Sequence, residues 1–165
     1  MSDSIKEMLI NNSTGTPSPA ALDQYRLYVE SANQVSARRL TANSFFLSIN
    51  TGLAALIGYL IGKQSMEVTV ALLGVPFAGM VLCYVWFRQI RSYRDLNEAK
   101  FKVIHIMEES LPFRMFDAEW MALERGENSK KHKPFSDTEK IVPWVFFGLH
   151  AIMVCLILQA ILVSG

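Results

Sequence analysis

Three stretches of this chain, residues 44–62, 68–87 and 141–163, contain no Asp, Glu, Lys or Arg at all. A hydrocarbon core about 30 Å thick is crossed by about 20 helical residues, and each block has that reach. A soluble helix of this length would carry a polar stripe at a period of 3.6 residues; none of the three does. The sequence therefore predicts an all-α fold, an integral membrane protein with three transmembrane helices, two of them extended into a helical cytoplasmic layer.

The charges lie between the blocks. Of the 16 Lys and Arg residues, all but Lys63 fall in segments 1–43 and 88–140. Basic residues collect on the cytoplasmic side of a membrane, so the amino terminus and the 88–140 segment are expected inside and the carboxyl terminus outside. Arg38, Arg39 and Arg88 would mark the cytoplasmic interface together with Trp86 and Trp144. The connection 63–67 is too short for anything but an outer turn, so residues 44–62 and 68–87 form a tight hairpin. The first block begins too late to be a cleavable signal and is expected to be retained.

Outside the spans, residues 1–19 read as a flexible tail, rich in Asn, Ser, Thr, Gly and Pro. Residues 20–43 read as an amphipathic cytoplasmic helix, with Leu22, Tyr25, Val29 and Ala32 on one stripe, running unbroken into the first span. Within 88–140 the stripe Leu96, Ala99, Val103, Ile106 and Met107 continues the second span until Leu111-Pro112 stops it. A shorter helix is expected over 117–125, ended by Gly126. The third span starts either from a capping box at Ser136 to Glu139 or at Val142, with Pro143 in its first turn. The apolar stripes either pack into a small helical layer or lie on lipid headgroups.

Four polar side chains fall in the cytoplasmic half of the spans: Asn50, Thr51, Cys83 and His150. With a rise of 1.5 Å per residue, Asn50 lies about 10 Å and His150 about 13 Å deep. Such groups face partners or water, either as a lined pathway or as hydrogen-bonded glue between helices. Gly58 and Gly62, with Ala71, Gly74 and Ala78, offer small-residue faces for helix packing, and an interior Pro76 would kink the second span. Both cysteines lie in apolar blocks and read as buried hydrophobes. The run Lys130 to Lys133 is read as a solvated loop. No metal spacing, phosphate loop or nucleophile arrangement is present, so neither a cofactor nor a catalytic residue is expected, and the net charge of +1 gives no pull toward nucleic acid.

The run Tyr28, Ser31, Ala32, Ser36, Arg38, Arg39, Thr41, Ala42, Asn43, Ser44, Phe45, Phe46, Leu47, Asn50, Thr51 resembles the motif with which the bacterial RipA family of octameric membrane proteins enters the bilayer. The set Asn97, Lys100, Phe101, Val103, Ile104, Met107, Glu108, Leu111, Pro112, Glu119 and Trp120 is similar to that family's cytoplasmic segment. The resemblance implies a homo-octamer in the cytoplasmic membrane, linked in one lineage to growth inside host cells, and carries no catalytic residue across. A more distant likeness is to SLATT-type membrane effectors. Three helices are too few to enclose a water-filled route, so transport would need a ring of subunits. The expected function is a ring-forming, channel-like or membrane-organising oligomer in contact with lipids. The alternative is an anchored scaffold or stress and defence adaptor that recruits a cytoplasmic protein; an enzyme acting on lipid has the least support.

Overall fold

The computed structural model describes residues 18–61, 72–124 and 139–164. Residues 1–17 of the expected tail, Gly62, the 63–67 turn, Ala71, the basic run at 130–133, and Ser136 to Thr138 of the capping box lie outside them. Among the described residues all regular structure is helical: α1 (Pro19–Ile61), α2 (Gly74–Glu108), α3 (Met115–Ala122) and α4 (Ile141–Ser164).

Local chemistry sets the helix ends. Ser18 caps α1, its Oγ accepting from the Ala21 amide at 3.2 Å, and Pro19 occupies the first helical position, where no amide is needed. At the far end of α2 the chain tightens, with the amides of Glu109, Ser110 and Leu111 each donating to the carbonyl three residues back. This is the i to i−3 pattern that finishes a helix, and Pro112 then prevents Leu111 from continuing it. Pro76 is the third residue of α2 and Pro143 the third of α4. Both sit in the first turn of these helices, where the missing amide breaks no bond within them; Leu72, before Pro76, is also helical, and residues 68–71 of the expected second span lie outside the described residues. α3 is displaced from the expected 117–125 to Met115–Ala122, and Glu124 takes a left-handed turn after it, with φ of 53°; Gly126, expected to end the helix, lies outside the described residues.

Contacts divide the chain into two units. The first contains α1 up to Arg38, α2 from Tyr93, and α3. Its core is Ala32, Val35, Ile104 and Ile106. The Lys100 ammonium donates to Ser31 Oγ at 2.6 Å and lies 4.7 Å above the Tyr28 ring. The Phe101 and Phe116 rings meet edge to face at 5.6 Å. The Lys100 contacts join α2 to α1 and the ring pair joins α2 to α3, while Leu22, Leu96 and Ala99 of the expected stripes stay exposed.

The second unit contains α1 from Arg39, α2 up to Ser92, and α4. Phe46, Trp86 and Ile90 form its buried cluster, with Leu82, Val142 and Phe146 against it. Phe46 and Trp86 stack at 5.8 Å, and Trp86 meets Phe146 at 6.3 Å. Outward, the same helices expose Leu47, Leu56, Phe77, Val81, Leu149, Ile152, Leu156 and Leu162. An apolar interior under an apolar exterior is the distribution of a chain solvated by hydrocarbon or by other copies of itself.

Candidate functional site

Three helices of the second unit each offer a pair of residues one turn apart: Phe46 and Asn50 on α1, Cys83 and Gly79 on α2, Phe146 and His150 on α4. Residues four apart share a helix face. With Trp86, the two phenylalanines make an aromatic layer, and the partners one turn on make a polar one.

Asn50 is the centre of the polar layer. Its Nδ2 donates to the Phe46 carbonyl at 2.9 Å, which turns Oδ1 away from α1. Cys83 Sγ donates to that oxygen at 3.2 Å, and His150 Nε2 lies 3.2 Å from it. An amide oxygen only accepts, so His150 Nε2 is the donor of this pair. The other ring nitrogen, Nδ1, is buried without a hydrogen-bond partner. Asn50, Cys83 and His150 are at most 1% exposed, so the layer is sealed from the protomer surface.

Gly79 makes room for it. A Cβ there would stand 2.7 Å from His150 Cδ2 and closer still to Nε2 and Cε1, so only glycine lets the ring reach Asn50. Gly58 and Gly74 do not have this role, since a Cβ at either meets nothing within 4 Å. Thr51 is exposed and does not join Asn50, Cys83 and His150, and Ala78 is exposed as well.

The interface residues separate in the same way. Arg38, Arg88 and Trp144 are exposed. Arg39 turns to Glu139, Nε to Oε2 at 3.7 Å, with about a fifth of each side chain exposed. Trp86 packs between helices. It is 3% exposed, and its indole N–H donates to Asn43 Oδ1 at 2.9 Å, because a ring between two helices buries more apolar area than one at their edge.

A second polar centre lies in the first unit. Glu108 is fully buried. One carboxylate oxygen accepts from the Tyr25 hydroxyl at 3.2 Å and the Phe116 amide at 3.0 Å, and the other from the Asp117 amide at 3.2 Å. His105 Nδ1 stands 4.0 Å away. Arg114, at the N-cap of α3, makes no side-chain cap, so Glu108 supplies it from the preceding helix and starts α3 two residues early. Burial first, then the charge and hydrogen bond of Glu108, push the Tyr25 hydroxyl up to about 12.

Gly79 and the hydrogen-bonding roles of Asn43, Tyr25 and Glu108 escaped sequence reasoning. Two signals were present. Gly79 lies one turn from Cys83, and Glu108 is an acid in the last turn of a helix, where the helix dipole disfavours it unless amides from elsewhere compensate.

These arrangements hold helices together and offer no convergent acid, base and nucleophile. Pro19–Leu60 and Ile141–Val163 are each long and apolar enough to cross a bilayer, and little of their most apolar stretches is buried within the protomer. The class is thus a helical membrane protein. The chain belongs to the octameric membrane protein family (8xMP), which it matches over residues 22–159. No curated protein and no solved structure matches it.

Proposed function

We propose that the chain is a ring-forming homo-oligomer, an octamer, of the bacterial cytoplasmic membrane, and that it organises the membrane without catalysing a reaction. Each protomer crosses three times, at 44–62, 68–87 and 141–163, with its amino terminus and segment 88–140 inside. The distribution of basic residues supports this orientation, the family's description supports the copy number, and the quoted motifs favour a RipA-like branch over a SLATT-like one.

One observation carries the reading. Asn50, Cys83 and His150 satisfy one another inside the protomer, while the outward faces of the spans are mostly apolar. A protomer so built is a braced unit for assembly, with no water path of its own. Any conducting route would run between protomers, past exposed Ser48, Thr51 or Gln159.

Light scattering of the protein in mild detergent should give eight times the protomer mass, and uniform monomers would refute the proposal. Reconstituted vesicles should stay tight to ions. Flux that His150→Ala alters while the oligomer persists would favour the channel reading. A second reading, recruitment of a cytoplasmic protein, is favoured by Phe113, Met115, Trp120 and Met121, which stand exposed on and before α3.

A further inference from the structure

Tyr84, Phe87, Arg88 and Arg91 recur at three-, four- and seven-residue spacing, which puts them on one face of α2. Against that face α4 sets Pro143, Trp144 and Phe147, and these residues with Cys83, Tyr84 and Phe87 line a shallow surface cleft. Its walls are aromatic: Phe87 to Trp144 is 5.4 Å between ring centroids, and Trp144 to Phe147 is 5.5 Å. The cleft is open, since Tyr84 and Trp144 are each more than half exposed.

The polar end of the cleft is cationic. The Arg91 guanidinium lies 5.9 Å above the Phe87 ring, which leans the charge over the cleft, and Arg88 is exposed beside it. Glu139, the acid nearest the start of α4, is turned to Arg39. An apolar aromatic wall ending in two arginines at a span terminus matches one kind of molecule, a lipid with an acyl chain and an anionic head. A zwitterionic choline head brings its own cation and gains less from them.

We propose that this seam binds an anionic phospholipid, the acyl chain lying along Tyr84, Phe87, Trp144 and Phe147 and the phosphate held by Arg88 and Arg91. The site rests on the reading that residues 68–87 cross the membrane. It would place a charged lipid in a defined seam of each protomer, so that anionic lipid becomes part of the assembly.

Trp144 is a built-in reporter. The Trp120→Phe chain is reconstituted in phosphatidylcholine vesicles carrying, at equal low mole fraction, either phosphatidylglycerol or phosphatidylcholine with brominated acyl chains. Brominated phosphatidylglycerol should quench in excess, reflecting a local enrichment of about fivefold for each arginine engaged. Trp144→Phe should remove the excess, R88Q/R91Q should abolish it, and R88K/R91K should retain most of it. Raising the salt should erase it in the parent chain, a test that needs no variant at the arginines. Equal quenching by the two lipids, or an excess that survives both R88Q/R91Q and high salt, overturns the site while leaving the membrane reading intact. Quenching by neither lipid overturns both.

Discussion

Replacing Gly79 by alanine tests the central arrangement most directly. The new methyl would stand 2.7 Å from His150 Cδ2 and nearer to two other ring atoms, whereas carbon atoms settle at about 3.5–4.0 Å, so the ring must retreat by about 1 Å. That retreat stretches the 3.2 Å contact between Nε2 and Asn50 Oδ1 beyond hydrogen-bond range. Overpacking costs about 1–3 kcal/mol. The lost interhelical hydrogen bond adds about 0.6 kcal/mol and at most about 1.7. Alanine's better helix propensity returns about 1 kcal/mol. The net expectation is a destabilisation of about 2 kcal/mol, read as a shifted midpoint for unfolding in mixed micelles of mild detergent and dodecyl sulfate. Gly148→Ala, where a Cβ meets nothing within 4 Å, is the control and should be neutral or stabilising. In a His150→Ala background the obstacle is gone, and Gly79→Ala should no longer destabilise. If Gly79→Ala costs no more than Gly148→Ala, or costs the same with and without His150, the ring does not rest on Gly79 and the reasoning fails.

Asn50→Ala should cost more than Cys83→Ala in the same assay, by about 1–2 kcal/mol, because Asn50 is the acceptor for two buried donors and Cys83 is only one of them. Glu108→Gln should release α3 locally: hydrogen exchange at the Phe116 and Asp117 amides should quicken by about tenfold, for a loss of about 1–2 kcal/mol, while exchange around Trp86 stays unchanged. A raised hydroxyl pKa favours the folded state while the group keeps its proton, so the contribution of Tyr25 is complete below the ordinary value of 10.0 and is lost as pH climbs through about 12. Tyrosinate absorbance of the folded protein should show a late-titrating component that Tyr25→Phe removes.

How much was legible in the residues varies by element. The uncharged blocks depend on neighbours in the chain and run as helices, as such local rules require, whereas Ser18 and Pro19, read as the end of a flexible tail, cap and begin α1. α3 did not obey those rules. Its start is set by a carboxylate seven residues before Met115, and no capping pattern reads that distance. Asn50, Cys83 and His150 could be named from the sequence as costly groups in an apolar setting, but Thr51, next in the chain and equally polar, could not be separated from them. The structure separates the two because adjacent residues on a helix point about 100° apart, and only one of them faces α2 and α4.

Composition and order along the chain by themselves determined that this protein is helical and apolar on its outside, because a block of uncharged residues has to satisfy its backbone internally wherever it lies. Pairing across helices decided the rest: which oxygen the histidine reaches, which glycine admits it, and which acid caps a helix it does not belong to. Those choices depend on contacts between residues as far apart as Asn50 and His150, and a side chain carries no mark of its distant partner until packing brings the two within hydrogen-bond reach.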